Sequence, residues 1–378
     1  MSVGPQAAGP RSSDVLSLTV VIVNVVLMTI EHSEFTLHRP AALIGALPSI
    51  LGFVPENSLI LVTLEGTELG SVLRVDLLDD LVDNIEPLAA VAASAAPRAV
   101  VAVIVDGIGA CCPACDDRNR RILSVLNEEL SCREIVLASA YIVDRVARGG
   151  RWRCADGCGS AGLVDDPDSS PLTAAAVLEG RRLYGRREDL QAAIAPDDET
   201  RSAAVAALIG DAAAGRAAGG GVARHQIRRE LAQVLAVVTE LAAGGEPTES
   251  ELAQIGCLLS DMLIRDTLCA LAISVRSIEA ERLWSLLART LPLPWRAEAL
   301  VLLAFSAYAR GDGPLAGVSL EAALRGVPRH RMAGLLDTAL QSGLRPDRIR
   351  GLADSGYRLA HQIGVALPQR RRFRQRAG

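Results

Sequence analysis

Residues 99–143 read AVVAVIVDGIGACCPACDDRNRRILSVLNEELSCREIVLASAYIV, and this stretch decides the fold. Ala99–Val105 is an unbroken Val/Ile/Ala run, the composition of a strand buried on both faces. Asp117–Leu130 repeats its apolar residues at helical period, and Glu134–Val143 is β-rich again. Strand, helix, strand at this spacing predicts an α/β layer with right-handed crossovers.

Upstream, Ala41–Leu51 reads as an amphipathic helix followed by a turn through Gly52, Pro55, Glu56 and Asn57. Ser58–Leu64 and Ser71–Leu77 are β-rich runs at hairpin spacing, and Leu81–Ala95 is helical. Downstream come Gly149-Gly150-Arg151-Trp152, an acidic loop with Asp165, Asp166 and Asp168, and closing helices at Pro171–Gly180 and Arg187–Ala195. After Asp197-Asp198-Glu199 the pattern is helical throughout. Thr248 with Glu251 makes a capping box opening a long helix to about Ser274, and Ser277–Thr290, Trp295–Arg310, Pro314–Arg325 and Arg329–Ser342 continue with short connections. The expected organisation is an α/β domain over 36–200, an all-α helical-hairpin domain over 201–345, and a helical and basic tail over 346–378. Within 297–328, Leu303, Ala304, Gly311, Ala316, Leu320, Ala323 and Pro328 fall at the offsets of a tetratricopeptide-like helix pair.

Val15–Ile30 is apolar but too short and interrupted to span a bilayer, so no membrane is expected. Residues 1–35 read as a disordered leader or a mis-assigned start with Met28 as initiator; a weak membrane anchor is the lesser alternative.

All 39 basic residues are arginine. Without lysine there is no Walker-type phosphate loop and no Schiff-base chemistry. The net charge of −5 gives no reason for the whole surface to attract nucleic acid. The local exception is the tail, where Arg370-Arg371-Arg372-Phe373-Arg374-Gln375-Arg376 is either a phosphate-binding arm or a solvated end. Neither a Gly-x-Ser-x-Gly elbow nor a His-Glu-x-x-His motif occurs, so enzymatic activity is unsupported.

Eight cysteines in 378 residues are too few for a disulfide scaffold and point to a reducing cytoplasm. Cys132, Cys257 and Cys269 read as ordinary small apolar residues. The other five form two clusters. Cys112 and Cys115 have a zinc-knuckle gap, and Cys154 and Cys158 add a second pair, so four thiolates would close a structural zinc site if neighbouring strands bring the pairs together. Reduced loop thiols and a redox pair are the alternatives, and Cys111 is a spare.

Asp106, Asp144, Arg145, Arg151 and Trp152 are the candidate ligand-binding residues, since they fall at strand ends where α/β sheets bind small molecules. The competing reading is an ion pair beside a packed tryptophan. Gly219-Gly220-Gly221 reads as a linker into a helix with a basic first turn.

Leu51-Gly52-Phe53-Val54-Pro55-Glu56-Asn57-Ser58-Leu59, Arg74-Val75-Asp76, Val143-Asp144-Arg145, Gly150-Arg151-Trp152 and Arg310-Gly311-Asp312-Gly313, in this order, resemble the actinobacterial family called domain of unknown function 4192, over roughly residues 36–345. The resemblance implies a cytoplasmic protein with no established activity and adds no catalytic residues. Members of that family usually begin near Arg39-Pro40, and the Cys112 and Cys115 pair is a feature of some members only. The expectation is a non-enzymatic binding or scaffold protein, zinc-stapled, with a protein partner on the helical domain. An enzyme or small-ligand sensor at the sheet edge near Asp106, Asp144 and Arg151 is the alternative.

Overall fold

The run at 99–105 lies at the centre of a seven-stranded sheet. A computed structural model describes residues 21–24, 39–65, 68–94, 96–109, 113–178, 181–218 and 224–371. Its strands are β1 (Val21–Asn24), β2 (Ser58–Glu65), β3 (Glu68–Asp76), β4 (Ala99–Val105), β5 (Val136–Val143), β6 (Arg151–Cys154) and β7 (Ala161–Leu163), in the order β1-β3-β2-β4-β5-β6-β7. β4 and β5 are parallel, joined by the crossover helix α3 (Pro113–Ser131), and every other pair is antiparallel. The chain is therefore α/β with a mixed sheet, not a run of crossovers. β6 and β7 arise in segments expected to be loop. Strands of four and three residues are too short to display a two-residue period.

β4 divides its side chains between two cores. Val100, Ala102 and Ile104 pack with Ile122 and Leu126 of α3 and with Leu88 of α2 (Ile85–Ala93) on the outer face. Val101, Val103 and Val105 face inward, into a core with Leu47 of α1 (Pro40–Leu51) that continues through the helical half. Each fully buried valine or isoleucine contributes about 1.5–3 kcal/mol, so a strand apolar at every position belongs at the centre. α4 (Pro171–Leu178) and α5 (Arg187–Ala192) follow the sheet.

The helical half comprises α6 (Glu199–Ala218), α7 (Arg224–Ala242), α8 (Glu249–Leu259), α9 (Met262–Leu268), α10 (Ser277–Thr290), α11 (Trp295–Arg310), α12 (Gly313–Gly326), α13 (Arg331–Gln341) and α14 (Pro346–Ile363). The capping box forms: Thr248 Oγ1 accepts the Glu251 N–H at 3.3 Å, while Glu251 accepts the Thr248 N–H at 2.8 Å. The expected helix to Ser274 is broken after Leu259. Asp261 restarts the chain as α9 by accepting the Leu263 N–H at 2.9 Å, and a 3-10 segment, Cys269–Ile273, follows. Apolar residues on both sides of the break hid it from the periodicity.

α11 is the central helix, buried from Ala299 through Ala309. Gly311, at φ 89°, ends it in the left-handed region, and Asp312 starts α12 by accepting the Leu315 N–H at 3.1 Å. Arg370 pairs with Asp354 at 2.9 Å and lies 4.6 Å from the Tyr357 ring centre, so the start of the arginine tail is tied to α14. The leader apart from Val21–Asn24, the Gly219-Gly220-Gly221 linker and the tail beyond Arg371 lie outside the described residues. Among the described residues no helix is long and apolar enough to cross a membrane.

Candidate metal and ligand sites

β6 and β7 form a hairpin whose tip reads Ala155-Asp156-Gly157-Cys158-Gly159-Ser160. The Cys154 N–H donates to the Ser160 carbonyl at 2.8 Å, and the Cys158 N–H donates to Asp156 Oδ1 at 2.9 Å. Gly157 and Gly159 sit at φ 79° and 80°, where a side chain is strained, and so let the tip fold back on itself. The outcome is that one sulfur of Cys154, one oxygen of Asp156 and the sulfur of Cys158 all lie within 4.8 Å of one another. Burial, and then the Asp156 carboxylate, push the Cys154 thiol up to about 11, and the hydrogen bond with Cys154 holds Asp156 below the usual carboxylate range. This group of two thiols and a carboxylate could hold a metal ion.

Cys115 does not join it. Arg153 and Ala155 face α3, Arg153 through its ion pair with Asp116 and Ala155 through the outer core, whereas Trp152 packs against the inner core. Strand alternation puts Cys154 on the same side as Trp152, across the sheet from the α3 turn that carries Cys115. β6 also runs antiparallel to β5, which carries Cys154 away from the strand ends where α3 begins. Cys112 lies outside the described residues. Asp156, missed as a donor in the sequence, stands between the two cysteines that were singled out.

Asp106 and Asp144 end adjacent parallel strands, but each carboxylate is taken up separately, Asp106 by its own loop and α3 and Asp144 by the turn into β6. Buried Asp106 accepts the Gly109 N–H at 2.6 Å and Asn119 Nδ2 at 3.1 Å, with Arg118 at 3.5 Å. Asp144 accepts the Arg151 N–H at 2.7 Å and pairs with Arg145 at 3.2 Å, closing the turn into β6. The Arg145 and Arg151 side chains are exposed. Trp152 meets Tyr141 edge-on at 5.6 Å and lies against Gly162. Asp166 likewise accepts the Asp168 N–H in its own turn.

A third site was not legible in the sequence. A groove of about 610 Å³ runs between α5 with its following turn and α12, and Leu293 and Arg296 also line it. Ile194, Pro196, Val318 and Ala322 give it an apolar lining. The groove joins residues more than a hundred positions apart, a separation that leaves no local pattern. Three of the five segments carrying the family resemblance, 51–59, 74–76 and 310–313, come close to the α12 side of this junction. Gly52 lies against Pro314, Phe53 bridges to Tyr184, and the Arg74 guanidinium stands 5.8 Å from the Phe53 ring centre. Arg310 pairs with Glu281 at 2.7 Å and with Asp312 at 3.1 Å.

No curated protein and no solved structure matches the chain. The family described as Domain of unknown function (DUF4192) matches residues 40–347, a range that takes in the sheet from β2 onward, the groove and the hairpin, and the chain belongs to that family.

Proposed function

We propose that this chain is a cytoplasmic, non-catalytic binding or scaffold protein in which zinc staples the β6–β7 hairpin and the helical half serves a protein partner. The observation that carries the metal reading is the Cys154, Asp156 and Cys158 donor set within 4.8 Å on one hairpin tip. Zinc takes thiolate and carboxylate donors at about 2.0–2.3 Å, and an exposed tip can close onto it. Two thiolates favour zinc over magnesium or calcium. Support for a scaffold comes from Asp106 and Asp144, whose oxygens are engaged by neighbouring turns and, for Asp106, by α3, and from the α11–α12 hairpin with its tetratricopeptide-like spacing. Large apolar side chains stand exposed on the helical half, Met262 at 68% and Ile278 at 67%.

The test is metal content by mass spectrometry on protein purified without a metal-affinity column. About one zinc per chain is expected, lost in Cys154→Ser and Cys158→Ser and kept in Cys115→Ser. Zinc lost in Cys112→Ser and Cys115→Ser as well would replace the hairpin site with a four-thiolate one. Metal-free protein with an unchanged melting temperature would end the metal reading.

A further inference from the structure

The groove between α5 and α12 contains a cation with no counter-ion among the described residues. Arg296 is half-buried there, with Nε donating to the Ala288 carbonyl at 2.7 Å and Nη2 to the Ile194 carbonyl at 2.8 Å. These bonds fix the guanidinium in place but do not neutralise it, and among the described residues no carboxylate lies within ion-pair distance of it. Two carboxylates line the groove and neither reaches Arg296: Glu321 takes Arg187 at 2.9 Å on one oxygen and Arg325 at 2.6 Å on the other, and Glu188 stands on α5. Burial holds Arg296 below the usual guanidinium range, and repulsion from Arg325 adds to the effect. A half-buried charge with no partner is costly and is stabilised by an anion brought from outside.

Beside that cation the lining is mixed: Ile194 (4% exposed), Val318 (5%) and half-exposed Leu293 give an apolar part, and Glu188, Gln191, Glu321 and Arg325 a polar one. The volume of about 610 Å³ lies within the range of small-molecule sites, which favour clefts between packed units lined by apolar side chains and a few polar groups. We infer that the groove is a seat for a small amphipathic carboxylate, its apolar body on Ile194, Val318 and Ala322 and its carboxylate on Arg296. This goes beyond the scaffold reading and does not depend on the metal.

The test is calorimetric titration of the full chain at pH 7 with sodium octanoate and, separately, with 1-octanol. Octanoate is expected to bind saturably, and Arg296→Gln to weaken it by about ten- to a hundredfold, the scale of a charged hydrogen bond. Octanol should bind the parent chain more weakly than octanoate and should not distinguish it from Arg296→Gln. Because Arg296 also ties two carbonyls together, Ala322→Trp provides a second variant that fills the groove and leaves those bonds intact; it should abolish octanoate binding with the circular dichroism spectrum unchanged. No saturable octanoate binding to the parent chain, equal affinity in Arg296→Gln, or undiminished binding in Ala322→Trp would each overturn the assignment.

Discussion

The two faces of the sheet are closed in different ways. On the outer face, α2 and α3 seal a separate core around Leu59, Leu73, Ile104 and Leu126, built from residues 59–142. On the inner face there is no such boundary: Phe53, Val62 and Val103 belong to the same core as Trp284, Phe305 and Leu320 of the helical half. A local core is made by a crossover unit folding onto its own strands, whereas the inner core joins residues as far apart as Leu43 and Ile363, which costs loop-closure entropy before contacts repay it. The sheet is therefore only half self-sufficient. Its inner face is completed by the helices, and the groove lies along that shared seam.

The sharpest way to break this comparison is at Arg310, which holds Glu281 and Asp312 together at the junction. Arg310→Met leaves two carboxylates facing each other with little solvent, and is expected to cost about 3–5 kcal/mol, measured by urea unfolding. The loss should appear in one transition reported equally by sheet and helix probes. Two separate transitions would show that the inner core is not shared.

Cavities in the two cores should differ in reach more than in size. Leu126→Ala on α3 and Leu320→Ala on α12 both empty fully buried sites and are each expected to cost about 2–5 kcal/mol. Amide exchange should accelerate mainly in α2 and α3 for the first. For the second it should accelerate in α11, α12 and the inward residues of β4 together. Matching exchange patterns would erase the distinction between the faces.

The smallest effect belongs to the helical half's own local chemistry. Thr248→Ala removes the α8 cap and should cost about 1 kcal/mol at pH 7. The backbone N–H of Thr248, and then its hydroxyl, hold the Glu251 carboxylate below its usual range. A carboxylate depressed in the folded chain stabilises it fully above the unfolded value of about 4.3, and that contribution is lost as pH falls through the lower folded value. The stability gap between the parent chain and Glu251→Gln should therefore persist down to about pH 4.3 and close below it; a gap that widens in acid would contradict the cap.

Much of the fold was legible where the signal is local. Ala99–Val105, Ser277–Thr290 and Trp295–Arg310 have the same bounds in the sequence reading and in the structure, since each is long, regular in pattern and punctuated by turn residues. The site was legible in part: the Cys154 and Cys158 pair is brought together, while Cys115 is not, because strand alternation and the antiparallel course of β6 act over two or three residues with no composition signal. The groove was not legible at all, since Arg296 looks like any other arginine until its neighbours are known.

The residues alone set the long, regular strands and helices such as β4, α10 and α11, that β4 is buried on both faces, and which chemistries a lysine-free chain lacks, because these follow from residue identity and short-range periodicity. Tertiary contacts alone set which face of the sheet Cys115 and Cys154 occupy, that Asp106 and Asp144 are engaged by separate partners, and that Arg296 lines a groove with no counter-ion among the described residues. Those outcomes depend on which distant segments share a core, and the free energy of that choice is spread over many contacts that no local pattern encodes.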